Sequence, residues 1–214
     1  METHSGIVLS IRNVRRDTMN RFLNVKLKLE DDEIITTKEL IELGVDKSAL
    51  SRWVSQGKLE RIARGIYTFP ETLVDNLYVL QLRCKLGVFS HETALYMHGL
   101  SDRTPLDNVM TVPSGYNVDS FKNDPVTFKY IDKKFIKLGT TKMKTSYGHE
   151  VMVYDLERTI CDIIRNRESM DKAIVNAALR EYQTLKRAKP AKLSIYARKL
   201  EMQSIISKVM GVLY

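Results

Sequence analysis

Lys47, Ser48, Ser51, Arg52 and Ser55 follow one another at alternating spacings of one and three residues, which places all five along one side of an α-helix. Their chemistry suits the reading of base edges. A guanidinium donates two parallel hydrogen bonds to guanine O6 and N7, a serine hydroxyl both donates and accepts, and small side chains let a helix lie close in a major groove. Arg61 and Arg64 follow, separated only by Ile62-Ala63. On a hairpin they would reach phosphate or the minor groove. The same residue types also suit the solvated surface of a protein-docking or purely structural module, and types alone leave both readings open.

A second basic set lies near the end of the chain. Arg180, Lys186, Arg187, Lys189, Lys192, Arg198 and Lys199 straddle Pro190. They are candidates for contacts with phosphates or an acidic partner, adding affinity without sequence preference, or form a solvated helical surface.

Catalytic chemistry has much less to work with. The chain holds four histidines. His91 and His98 are two helical turns apart, about 10 Å, too far to share one metal ion directly. Glu92, Asp102, His149, Glu150 and Asp155 are available as partners, but no His-Glu-x-x-His, cysteine pair, glycine-rich phosphate loop or nucleophile elbow accompanies them. Cys84 and Cys161 sit among apolar neighbours and read as buried thiols rather than a disulfide or redox pair. No catalytic residue, metal or cofactor is expected.

The elements that position the first set are legible from their ends. A helix from Asp17 to Leu29 is expected to bury Met19, Phe22, Leu23 and Val25. Ile34-Ile35-Thr36 reads as a short strand. Thr36 and Glu39 have capping-box spacing, opening a helix that buries Leu40, Ile41 and Leu43 before Gly44 stops it. Asp46 then caps a helix from Lys47 to Gln56, with Leu50, Trp53 and Val54 inward. Two short helices joined through Leu43-Gly44-Val45 have the proportions of a helix-turn-helix. Leu59–Ile62 and Gly65–Phe69 read as strands of a hairpin with Arg64 at its tip, a wing.

Beyond Pro70 the periods change. Helices are expected over Asp75–Leu86 and Ser90–Gly99, the second capped by Ser90. Strands follow at Val109–Val112, Val126–Tyr130, Phe135–Leu138 and Val151–Tyr154. Asp155 caps a helix running to Asn166, and two more helices span about Met170–Thr184 and Leu193–Val212. The fold class expected is α+β: a winged helix-turn-helix over residues 1–70, then a mixed domain over 71–214 with a small β-sheet flanked by helices and basic helices at its end.

Bulk properties bound this reading without deciding it. The 214 residues are 43% hydrophobic and 28% charged, an ordinary globular balance. No apolar run reaches membrane-span length, and Met1–Gly6 lacks the basic start of a secretory signal, so a cytoplasmic location is expected. The net charge of +8 favours an anionic partner, yet residues 1–70 carry 12 Lys/Arg against 10 Asp/Glu, while residues 161–214 carry 11 against 5. The excess is C-terminal, so the case for the N-terminal module rests on pattern.

The segments Leu43–Val54 and Gly57–Tyr67 closely resemble the N-terminal part of the AbiEi family of antitoxins from bacterial type IV toxin–antitoxin (abortive infection) systems. Ser90–Asp102 and Val153–Asp162 resemble signatures of that family's second domain, and together the similarity spans about residues 34–165. The resemblance implies a phage-defence antitoxin whose winged helix binds inverted repeats in its own promoter and represses transcription, two copies lying on one operator. It implies a second domain that counteracts a toxin resembling nucleotidyltransferases, by contact or functionally. Carried over by position, recognition falls on Lys47, Ser48, Ser51 and Arg52, and the wing on Arg61 and Arg64. The residues up to about Asn13 precede the motif and are not explained by it. The alternative is a winged-helix protein-interaction module without sequence-specific DNA binding.

Overall fold

A computed structural model describes residues 20–30 and 32–211. The chain divides into two units, Met1–Val74 and Asp75–Tyr214. The expected helix start at Asp17 and its Met19, the extension up to Asn13, and the expected helix end at Val212 lie outside the described residues.

In the first unit, α1 (residues 20–30) precedes β1 (Ile35–Thr36), α2 (Thr37–Glu42), α3 (Lys47–Ser55), β2 (Glu60–Ala63) and β3 (Ile66–Thr68). The strands form an antiparallel sheet in the order β1-β3-β2. This is the expected winged helix-turn-helix. Its core gathers Val25 and Leu29 of α1, Leu40, Val45, Ala49, Leu50, Trp53, Leu59 and Tyr67. Trp53 is 3% exposed and meets the Phe22 ring edge-on at 4.9 Å between centroids.

Two apolar residues expected inside are outside. Leu23 is 54% exposed and Ile41 61%. The buried stripe of α1 runs Phe22, Val25, Leu29, a spacing of three and four, and Leu23 stands about 100° away from it. Helix α2 is too short to bury more than one position, and Leu40 takes it. The turn between α2 and α3 forms as anticipated. Gly44 adopts φ +76, which favours glycine, and its amide bonds to Ile41 O while Val45 N bonds to Leu40 O, both at 2.9 Å.

In the second unit, α4 (Asn76–Arg83), β4 (Val88–Phe89), α5 (His91–Met97), β5 (Asn108–Pro113), β6 (Val126–Ile131), β7 (Thr140–Lys144), β8 (Glu150–Tyr154), α6 (Leu156–Asn166), α7 (Lys172–Thr184), α8 (Pro190–Lys199) and α9 (Gln203–Gly211) build a mixed five-stranded sheet with helices. Its order is β6-β5-β4-β8-β7, with β4–β8 and β5–β6 parallel and the other pairs antiparallel. One core joins α4 to the sheet through Leu80, Cys84, Phe89, Met110 and Val153. A second packs α6 against α7, α8 and α9 through Ile160, Ile164, Leu179, Tyr182, Leu193 and Ile206.

Four expectations are corrected here. Val88–Phe89, lying between two expected helices and not expected as a strand, is the central strand. The strand expected over Phe135–Leu138 is a 3-10 turn (Lys133–Phe135) and its exit, while the strand itself is Thr140–Lys144. Phe135 and Leu138 face the helical core, and the true strand is a lysine-bearing edge that lacks an apolar alternation. The long helix expected over Leu193–Val212 breaks after Lys199, where Glu201 adopts φ +56. Ser90 makes no side-chain cap; its hydroxyl accepts from Thr111 Oγ1 at 2.8 Å and lies 2.9 Å from His91 Nδ1 instead.

Beneath these elements lies a buried ion pair that the sequence did not announce. Arg158 is fully buried; its Nε donates to Asp162 at 3.1 Å, and its Nη1 donates to the carbonyls of Phe135 (3.1 Å) and Leu138 (2.7 Å). The expected outcome for Trp53→Ala is a loss of about 3–5 kcal/mol from the first unit, against a change within about 0.5 kcal/mol for exposed Leu23→Ala, both read from urea unfolding followed by circular dichroism.

Candidate nucleic-acid interface

The first link is at the start of α2. Thr36 accepts from the Glu39 amide at 3.3 Å, and the Glu39 carboxylate accepts from the Thr36 amide at 2.8 Å, a complete capping box. Thr36 also pairs with Ile66 across the sheet, so one residue ties the helix to the hairpin. The next residue strengthens the tie. Thr37 donates its amide (2.8 Å) and its hydroxyl (3.2 Å) to Gly65 O, in the Arg64-Gly65 turn of the wing. Gly65 has φ +77, and a Cβ there would come within 3.1 Å of Thr37 Oγ1. Both strain and space favour glycine.

Helix α3 is capped by Asp46, whose carboxylate accepts from Ala49 N at 2.8 Å. Ala49, Leu50 and Trp53 face the core. Lys47, Ser48, Ser51, Arg52 and Ser55 are all exposed, as are Arg61 and Arg64. Among the described residues, none of the four cations Lys47, Arg52, Arg61 and Arg64 forms an ion pair. Arg61 donates from Nε to Ala63 O at 3.3 Å, across the bulge that shifts the β2–β3 register. Helix α3 thus presents Lys47 and Arg52 beside three serine hydroxyls, and the hairpin presents Arg61 and Arg64, all without ion pairs among the described residues.

The basic set of the second unit is less uniform. Arg180, Lys186, Lys189, Arg198 and Lys199 are exposed, and Arg187, also exposed, donates to the His98 carbonyl. Lys192 is half-buried and already matched, 2.9 Å from Asp155 and 3.7 Å from Glu157. Those carboxylates hold its ammonium above the usual lysine range.

The histidines that invited an enzymatic reading have structural partners. His91 is buried at φ +50, with Nδ1 2.9 Å from Ser90 Oγ and Nε2 2.9 Å from Asn166 Nδ2. Burial lowers its pKa to about 4. His98 Nε2 meets Tyr154 O at 2.8 Å, and burial lowers its pKa too. His149 bonds to buried Asp75 at 2.9 Å and stacks on Tyr78. Cys84 and Cys161 are free and buried, and burial raises both thiol pKa values, that of Cys161 to about 12. Among the described residues no cluster of three or more His, Cys, Asp or Glu side chains suits a metal ion, and no helix is long and apolar enough to cross a membrane.

Residues 27–70 match the family model described as "Transcriptional regulator, AbiEi antitoxin". The match runs from α1 through the wing and bears out, over that segment, the family resemblance read from the sequence. A comparison with curated proteins gave no match. Among solved structures, the crystal structure of the RV2827C protein from Mycobacterium tuberculosis is similar at a TM-score of 0.58 and 15% identity, covering 84% of this chain and 71% of that one. That likeness is one of fold.

The buried, neutral His91 has a measurable consequence. Its folded pKa of about 4 lies below the ordinary 6.5, so the unfolded chain binds the extra proton first. This residue's contribution is therefore complete above about 6.5 and is lost as pH falls toward 4. His91→Asn, which tolerates the positive φ and does not titrate, is expected to flatten the urea midpoint against pH across that window relative to the unsubstituted protein.

Proposed function

We propose that the chain is a transcriptional autorepressor and antitoxin of a type IV toxin–antitoxin system, acting in the cytoplasm. Residues 1–70 serve as a DNA-binding domain that lays α3 in the major groove of inverted repeats upstream of its own gene, with two copies on one operator. Residues 71–214 serve as the domain that counteracts a nucleotidyltransferase-like toxin, and no enzymatic step is assigned to them. The observation that carries the reading is the exposed face of α3, where Lys47 and Arg52 form no ion pair among the described residues and stand beside three serines, on a segment that matches the family model.

Arg52 is assigned the strongest base contact, bidentate to guanine, with Lys47, Ser48, Ser51 and Ser55 completing the face. Arg61 and Arg64 are assigned to phosphate or the minor groove, where they add affinity and set the register. Arg180, Lys186, Arg187, Lys189, Arg198 and Lys199 are assigned to phosphates or the partner. Lys192, included with them on sequence grounds, has the weakest claim because two carboxylates already hold it.

A protein-docking role for the same unit draws on its near-neutral charge and on the exposed Leu23, Leu27 and Ile41. Gel-shift titration of the purified chain on its upstream DNA, with scrambled competitor and varied salt, separates the two. Arg52→Ala is expected to weaken specific binding by about 1–3 kcal/mol and relax base preference. Arg64→Ala is expected to weaken operator and scrambled DNA alike and to lower the salt slope by about one. Binding of the unsubstituted chain no tighter to its upstream DNA than to scrambled DNA would transfer the reading to protein docking.

A further inference from the structure

A serine in a major groove is ordinarily an ambiguous reader, because its hydroxyl has one hydrogen to donate and two lone pairs to accept with. Ser48 is held differently from the other serines on α3. Its hydroxyl donates to Asp46 Oδ1 at 2.6 Å, and the same oxygen accepts from Ala49 N at 2.8 Å. The other carboxylate oxygen lies 3.8 Å from Arg21 Nη1. The Ser48 hydroxyl and the Ala49 amide hold the Asp46 carboxyl below the usual carboxylate range, so at neutral pH it is an anion with no hydrogen of its own. The hydrogen in the short contact is therefore that of Ser48.

The other serines lack this arrangement. Ser55 donates to a neutral backbone carbonyl, Arg52 O, at 2.9 Å, a weaker bond that a base can displace. Ser51 is exposed and its hydroxyl forms no hydrogen bond among the described residues. Ser48 alone has its hydrogen taken by a charged acceptor while its oxygen stays exposed at the N-terminal turn of the helix, the part that contacts base edges in a helix-turn-helix.

We infer that Asp46 sets the specificity of Ser48, making its hydroxyl an acceptor that reads the exocyclic amine of adenine or cytosine and rejects the carbonyl edge of guanine or thymine. Only adenine N6 and cytosine N4 present a donor in the major groove. Opposite guanine O6 or thymine O4, the Ser48 oxygen would meet lone pair with lone pair, or would have to break its charge-assisted bond to Asp46. The inference rests on α3 lying in a major groove, and it deepens that reading by naming the atom one residue recognises.

The test uses the full chain and Ser48→Ala, an exposed position where alanine favours the helix. Sequences are first selected from randomised duplexes, and the position at which Ser48→Ala loses preference is then altered one atom group at a time. Purine in place of adenine, or 2-pyrimidinone in place of cytosine, removes the amine. 2-Aminopurine in place of guanine, or 5-methyl-2-pyrimidinone in place of thymine, removes the carbonyl oxygen. Loss of the amine is expected to weaken the unsubstituted protein about tenfold and to leave Ser48→Ala unaffected, while loss of the carbonyl oxygen affects neither. Three outcomes overturn the inference. A Ser48→Ala preference that matches the unsubstituted protein at every position is one, and sensitivity to the carbonyl oxygen is another; either would leave the DNA-binding reading intact. Absence of any sequence preference in the unsubstituted protein would overturn both.

Discussion

The carbonyl of Gly65 and the amide and hydroxyl of Thr37 form the contact on which the first unit's candidate interface depends. Those bonds make the hairpin turn and the first turn of α2 one rigid piece. Because Thr36 both caps α2 and pairs with Ile66, the strand, the helix and the turn are fixed by two adjacent residues. From α2 the constraint passes through Gly44 and Val45 to the Asp46 cap, and so to the start of α3. Trp53 closes the path from beneath, packing α3 against Phe22 of α1. A face of hydroxyls and cations is held at a defined angle to an arginine-tipped turn without any of its own side chains being needed for the holding.

The second unit divides its polar groups the other way. Its least ordinary side chains are turned inward and committed. Arg158 joins α6 to the turn before β7, His91 links the start of α5 to the end of α6 through Asn166, and Asp75 gathers Tyr78, Thr145 and His149. A buried charge left without its partner is strongly destabilising, so Arg158 and Asp162 act together as a constraint on how α6 packs. Groups that look reactive when listed by type become, in place, the joints between helices and strands.

What was legible in the sequence follows from how local its cause is. The caps at Thr36, Asp46 and Asp155 were readable because a carboxylate or hydroxyl acts on an amide three residues away. The turn glycines were readable for the same reason. Leu23 and Ile41 were misplaced because a short apolar run does not say which of its residues the neighbouring elements will cover. Strand β4, two residues long, carries no period at all and owes its existence to β5 and β8 on either side. Strand β7 has an almost wholly polar sequence, and Phe135-Ile136-Lys137-Leu138 beside it offered a better but false alternation. The exposed side of α3, with Lys47, Ser48, Ser51, Arg52 and Ser55, was anticipated, as was the exposure of Arg61 and Arg64. The commitment of Ser48 to Asp46 was not, although a serine two residues after a capping aspartate is the signal that would have suggested it.

The most direct measurement is a methylation-interference footprint of the purified chain on the DNA upstream of its gene. Two inverted blocks of major-groove guanines whose methylation prevents binding are expected, their centres one helical turn of about 10–10.5 base pairs, or a multiple of it, apart. Interference scattered without symmetry, or none at all at concentrations that saturate the DNA, would contradict that expectation.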